Sequence, residues 1–114
     1  MKLNELELRI YKEKKCVGFT YFLNLGDNKK QRFDFVLDET DNEYEGRAWE
    51  MTTLFEPPNG GTQVYRICFV VPRNDIPLIT ITGMGLKLFQ TYLKEEIQLK
   101  SNIDFSIGQV VNNY

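Results

Sequence analysis

The chain lacks the side chains on which most protein active sites depend. Its 114 residues include no histidine, and serine occurs only at Ser101 and Ser106. Histidine is the usual proton-transfer group near neutral pH and a common zinc ligand, so triads built on a histidine base are excluded. No base lies near either serine in the sequence. We therefore predict a protein that is not an enzyme and that uses no cofactor.

The two cysteines offer little chemistry. Cys16 and Cys68 lie far apart in different predicted strands, without CxxC spacing and without a histidine to form a reactive pair. Free cysteine behaves as a small core residue. We expect both to be buried free thiols, with a disulfide between them as the lesser alternative.

A run of carboxylates invites comparison with a calcium-binding loop. Its members are Asp38, Glu39, Asp41, Glu43 and Glu45. An EF-hand loop needs glycine at position 6 and glutamate at position 12. Counting from Asp38 places Glu43 where glycine is required, and counting from Asp41 places Thr52 at position 12. The spacing predicts a solvated acidic loop and no metal site.

Two closely spaced glycines could mark a phosphate-binding turn. Gly83 and Gly85 lie between a predicted strand and a predicted helix, where backbone N–H groups attract anions. The GxGxxG pattern fails because Leu88 replaces the third glycine, and the P-loop pattern is absent. A tight connection from strand to helix explains the glycines without a ligand.

Charge is distributed unevenly although the net charge is only −2. Residues 9–32 hold seven basic and two acidic side chains, whereas residues 38–56 hold seven acidic side chains and Arg47. Charges of this kind often only mark solvated turns and edge strands. Aromatic residues beside charges are also typical of protein interfaces. The predicted partner-binding residues are Asp38, Glu39, Asp41, Glu43, Tyr44, Glu45 and Trp49, although Trp49 also fits a core position.

These features favour a protein-binding module of the inhibitor or immunity type, which blocks a basic target such as a nuclease or a nucleic-acid-handling enzyme. The alternative is a single-stranded nucleic-acid binder that stacks bases on sheet aromatics. Its phosphate-binding residues would be Lys14, Lys15, Lys29, Lys30 and Arg32. The net acidity counts against that alternative. A small enzyme or a barrel for an apolar ligand is a third hypothesis.

Alternation of apolar and polar residues predicts most of the chain to be strand. The predicted strands cover 5–10, 17–25, 33–38, 48–55, 64–71 and 78–82, with a further edge strand at 103–107. Residues 64–71 are nearly all apolar, which predicts a central strand covered on both faces. Leu86, Phe89, Leu93 and Ile97 recur at helical spacing and predict an amphipathic helix over about 86–99.

The predicted fold is a single α+β domain spanning 1–114. It consists of one antiparallel, strongly curved sheet of six to seven strands, with the one helix packed on it. A single helix covers only part of a sheet, so the rest is expected to close toward a barrel or to form a binding or homodimer face. The start of the chain lacks a secretory h-region and no apolar run is long enough to span a membrane, which predicts a cytoplasmic location.

Overall fold

The computed structural model describes residues 5–11, 16–26, 28–40, 47–57, 60–97 and 107–113. These residues form an α+β fold of one sheet and one helix. The elements in chain order are β1 (Glu5–Tyr11), β2 (Cys16–Gly26), β3 (Lys29–Thr40), β4 (Arg47–Phe55), β5 (Gln63–Val71), α1 (Leu78–Glu96) and β6 (Gln109–Asn113).

The sheet is an antiparallel meander with one parallel strand added at its end. Strands β1 to β5 pair in sequence order, and β6 pairs parallel with β1, so the order is β5-β4-β3-β2-β1-β6. The β2–β3 turn has the positive φ expected from its sequence, at Gly26 and Asn28. Six to seven antiparallel strands are not confirmed, because the antiparallel part described here has five.

The core lies between α1 and one face of the sheet. Alternate residues of β2, β3 and β4 point to that face, as their sequence pattern predicts, and Phe89 of α1 packs against them. Its ring lies edge-on to Phe33, Phe35 and Phe55, with centroids 4.9–5.5 Å apart. The helix is thereby fixed over β3, β4 and β5.

The helix begins eight residues earlier than predicted. Residues 78–82, of which the last four are β-branched, are predicted to form a strand, but α1 starts at Leu78, directly after Pro77. Ile81 and Thr82 are buried and continue the apolar stripe of Phe89 by one more turn. That tertiary burial outweighs the strand preference of isoleucine and threonine.

Both glycines of the predicted strand-to-helix turn therefore lie inside α1. A Cβ on Gly85 would lie 2.7 Å from the Sδ of Met51 and 3.3 Å from the ring of Phe69. Gly85 thus allows α1 to approach β4 and β5 closely. At Gly83 a Cβ would meet nothing within 4 Å.

Strand β5 is not the covered central strand that its composition predicts. It lies at the edge of the sheet, and Val64 and Val70 are 60% and 45% exposed on the face away from α1. Ile103 and Phe105 of the predicted C-terminal edge strand lie outside the described residues, and the described C-terminal strand, β6, begins after Ile107. The sheet is open, with β5 and β6 at its two edges.

Candidate functional site

The face of the sheet opposite α1 is the candidate site, and we call it the open face. It is formed by the even-numbered residues of β2, β3, β4 and β5 and by Glu7 and Arg9 of β1. Because strand residues alternate between faces, the buried odd-numbered residues of β2, β3 and β4 force this even-numbered set outward. No helix among the described residues covers it.

One end of the open face carries two carboxylates in direct opposition. Asp38 of β3 and Glu50 of β4 are cross-strand partners, in one row with Cys16 of β2 and Cys68 of β5. Like charges directly opposite one another destabilise a sheet. The Arg66 Nε lies 3.8 Å from a carboxylate oxygen of Glu50. Because both side chains are solvated, this ion pair offsets only part of the repulsion. This acidic end consists of Asp38 and Glu50.

Exposed apolar side chains lie beside the acidic end and further along the open face. Val36 and Val70 adjoin the acidic end, whereas Leu54 and Val64 pair with each other four residues further along β4 and β5. Val36 is two residues from Asp38 on the same face, and Val70 is two residues from Cys68. An apolar surface next to a concentrated charge is the composition of many protein interfaces. The acidic end and its apolar surroundings can therefore accept a partner with a cation and apolar groups.

The other end of the open face is basic. The Nζ of Lys30 lies 4.4 Å from the ring centroid of Phe22, and the guanidinium carbon of Arg32 lies 5.8 Å from it. These are cation–π distances, so both cations lie beside the half-buried ring. Lys29 is exposed at the start of β3. Charge on the open face is thus divided between two ends of the strands.

Asp34 links the centre of the open face to its basic end. The Thr20 hydroxyl donates to its carboxylate at 2.6 Å, and Arg32 Nε donates at 3.0 Å. Burial alone would raise the pKa of Asp34, but these hydrogen bonds and the positive charges of Arg32 and Arg9 together hold the pKa below its usual value. The Asp34 carboxylate therefore accepts hydrogen bonds from its neighbours in the sheet.

The predicted acidic binding residues are divided by the sheet. Asp38 lies on the open face, whereas Glu39 and Trp49 lie on the covered face. Glu39 accepts a hydrogen bond from Arg47 Nε at 3.1 Å, and the Arg47 guanidinium carbon lies 4.7 Å from the Trp49 ring centroid. Trp49 is 2% exposed and belongs to the core. It is not available as a surface anchor in this fold.

The other predicted residues fall into two groups. Asp41, Glu43, Tyr44, Glu45, Lys14 and Lys15 lie outside the described residues. Lys29, Lys30 and Arg32 share β3 at the basic end. Glu50, Val36 and Leu54 were not among the predicted site residues. Their signal was the alternation itself, since each is flanked by residues that point to the core.

The structure contradicts one prediction about the cysteines. Cys16 is half-buried, but Cys68 is exposed on the open face. Strands β3 and β4 separate them in the sheet, a distance of roughly 14 Å at ordinary strand spacing. A disulfide between them within one chain is excluded by this separation.

Neither a metal centre nor a membrane-spanning helix is found in the described ranges. No three side chains of the histidine, cysteine, aspartate and glutamate types are grouped there so that they could hold a metal ion. None of the helical structure in those ranges combines the length and apolarity needed to cross a bilayer. Comparison of the chain with protein-family models, with curated proteins and with solved structures gave no match.

Proposed function

We propose that the chain is a non-enzymatic protein-binding module that docks a basic protein surface on the acidic end of its open face. The observation that carries this proposal is the cross-strand opposition of Asp38 and Glu50 beside exposed apolar residues. The opposition costs stability, and a cation supplied by a partner would relieve it. In the sequence, three further acids, Asp41, Glu43 and Glu45, lie between Asp38 and Glu50.

An inhibitor or immunity-type protein is the class that fits this surface best. Such a protein needs charge complementarity to its target and no chemistry of its own. A nuclease or another nucleic-acid-handling enzyme has a basic active-site cleft, which an acidic, partly apolar surface can block. The absence of histidine from the chain and its two serines agree with this class.

The experiment starts from affinity capture out of host lysate with the tagged chain and with the variant Asp38→Asn/Glu50→Gln. The captured protein is then produced alone, and its affinity is measured by calorimetry at low and high salt. We expect a basic partner that binds the wild-type chain at least about tenfold more tightly than the variant, with a difference that shrinks as salt rises. The captured protein should also lose its own activity when the chain is added to it.

A matched control separates binding from folding. Lys30→Gln changes one exposed charge at the basic end and should leave the affinity unchanged. Asp38→Asn/Glu50→Gln should be at least as stable as wild type in urea, because the variant removes a like-charge opposition. A partner that binds both variants and the wild-type chain equally would refute the proposed surface.

The second candidate function is single-stranded nucleic-acid binding at the basic end. The observation in its favour is the aromatic ring of Phe22 between Lys30 and Arg32, since stacking on aromatics and cationic contacts to phosphate are the usual means. Fluorescence anisotropy with a labelled oligothymidine at low salt tests it. Binding that Phe22→Ala and Lys30→Gln abolish would favour this function, and an unchanged signal would remove it.

A further inference from the structure

Strand β5 is an edge strand without the usual protection against pairing. Edge strands are commonly shortened, bent by bulges, or supplied with charges and prolines. β5 pairs with β4 in continuous register, contains no proline, and carries Arg66 as its one charged residue. Its composition is that of a central strand, yet among the described residues only β4 pairs with it.

We propose that the protein forms a two-fold symmetric dimer in which β5 pairs antiparallel with β5 of a second copy, centred on Ile67. The two sheets then form one continuous sheet with β5 at its middle. β5 then has a neighbouring strand on each side, as the prediction of a central strand requires. The dimer does not rest on the partner proposed above: Glu50 and Val70 lie near both surfaces, but the oligomeric state is measured with the chain alone.

The residues of β5 select the register. Centring on Ile67 places Val64 opposite Val70 of the second copy and Arg66 opposite its Cys68. Centring on Arg66 instead would oppose two arginines, and like charges in that position are destabilising. Centring on Cys68 would place Val64 opposite Pro72, which has no N–H to donate. Of these three registers, the Ile67 register alone avoids both penalties, and it pairs β5 over its full length from Gln63 to Val71.

Apolar and charged rows also continue across the interface in this register. Val64 is paired with Leu54 in its own sheet, and Val70 is paired with Ala48. The pairing therefore creates a row of four apolar side chains at each end of the interface. Arg66 of one copy joins the row of Cys68 and Glu50 of the other, about two strand spacings or roughly 10 Å from Glu50. The two arginines are diagonal neighbours, and each keeps its own Glu50 at 3.8 Å.

Helix α1 supplies a second, independent observation. The Gln90 amide donates to the Tyr21 hydroxyl of β2 at 3.4 Å, so that flank of α1 faces the middle of the sheet. Tyr92 lies 4.9 Å from Tyr65 of β5, ring to ring, so the opposite flank faces the β5 edge. Met84 and Leu88 lie on the flank of Tyr92 at helical spacing and are exposed. They point toward the space that the second copy would occupy.

The level of Leu88 along the strand is close to the proposed symmetry axis. Gly85 lies against Phe69, and Phe89 lies 5.0 Å from Tyr65, ring to ring, so Leu88, one residue before Phe89, lies between the levels of Tyr65 and Ile67. An axis through Ile67 would bring the two copies of α1 side by side and antiparallel, roughly 10–14 Å apart over the joined strands. At the lower end of that range, close to the spacing of about 8–10 Å between packed helices, Leu88 of one helix lies near Leu88 of the other.

Sedimentation equilibrium over a wide concentration range tests the dimer. We expect a mass of twice 13.4 kDa at high concentration for the wild-type chain. Leu88→Asp should raise the dimer dissociation constant by about tenfold or more. Ile79→Asp is the matched control, because Ile79 is also 39% exposed but lies on the opposite flank of α1, and it should leave the constant unchanged. A monomer at all concentrations, or equal effects of the two variants, would overturn the proposal.

Complementary charges test the register itself. The variants Val64→Lys/Val70→Lys and Val64→Glu/Val70→Glu each oppose like charges in the Ile67 register, so each alone should be monomeric. Mixed together they should form a heterodimer, because every lysine then faces a glutamate. Circular dichroism establishes that both are folded. A dimer of either variant alone, or a mixture that stays monomeric, would show that β5 does not pair in this way.

Discussion

The two faces of this sheet are built from the same strands but are stabilised differently. On the covered face, stacked and edge-on aromatic rings surround Phe89, and Phe19 stacks on Phe35 with ring centroids 4.7 Å apart. On the open face, the described contacts are solvated ion pairs and cation–π contacts, together with the Thr20–Asp34 hydrogen bond. Burial of aromatic surface contributes far more than exposed ion pairs.

This difference has a consequence for function. Because the covered face provides most of the stability, side chains on the open face can change with little effect on folding. The opposed carboxylates Asp38 and Glu50 show this freedom, since they work against stability and are nevertheless tolerated. The side chains of such a surface can therefore be determined by the partner that it binds.

The largest expected difference between the two faces comes from removing the ring of Phe89. Phe89→Ala deletes the ring that joins α1 to β3, β4 and β5, and should lower the free energy of unfolding by about 3–5 kcal/mol. Urea denaturation measures it. The matched variant on the open face is Leu54→Ala, whose side chain is 64% exposed, and its cost should stay below about 0.5 kcal/mol. Similar costs for both variants would contradict the difference between the faces.

A smaller effect is expected from two glycines of the same helix. Gly85→Ala places a Cβ 2.7 Å from the Sδ of Met51, so Met51 and Phe69 must move, at a cost of about 1–3 kcal/mol. Gly83→Ala meets nothing within 4 Å and should instead stabilise α1 by about 0.5–1 kcal/mol. Thermal unfolding should therefore shift in opposite directions for the two variants. A shift in the same direction would show that α1 does not lie against β4 and β5 as described.

The strands of the meander and their covered faces could be predicted from alternation. In β2, β3 and β4 the buried residues keep a period of two, and the turn at Gly26 and Asn28 carries residues suited to positive φ. The α+β class and the covered face followed from these patterns. Local sequence was sufficient there because each strand has one buried and one exposed face.

The errors arose where composition and tertiary environment disagree. Ile79, Thr80, Ile81 and Thr82 favour a strand locally, yet packing against the sheet makes them helical. β5 has the composition of a central strand but lies at the edge. No local pattern distinguishes a strand covered by its own chain from one that a second chain would cover.

The candidate site was predicted only in part for a related reason. Asp38 was identified from the density of acidic residues, but Glu50 lies twelve residues further on and joins it only through the β3–β4 register. Trp49, one residue from Glu50, points to the other face and into the core. Proximity in sequence therefore predicted Trp49 instead of Glu50 as a site residue, because adjacent strand residues point to opposite faces.

The smallest effect that sharpens the comparison is the pH dependence of the open face. The pKa of Asp34 is below its ordinary value of 3.8, so the carboxylate contributes stability that is fully present above that pH. The contribution is lost as the pH falls below 3.8 through the pKa of the folded state. Asp34→Asn cannot titrate, so the difference in unfolding free energy between wild type and this variant should shrink as acid is added.

Urea unfolding of both proteins across this acidic range measures the effect. Thr20→Val keeps the size of a side chain that is 1% exposed and removes the 2.6 Å hydrogen bond to the carboxylate. It should therefore weaken the pH dependence without abolishing it, because Arg32 still pairs with Asp34 at 3.0 Å. If wild type and Asp34→Asn lost stability in parallel as the pH fell, the carboxylate would have no such role. The acid sensitivity would then have to arise from other carboxylates of the chain.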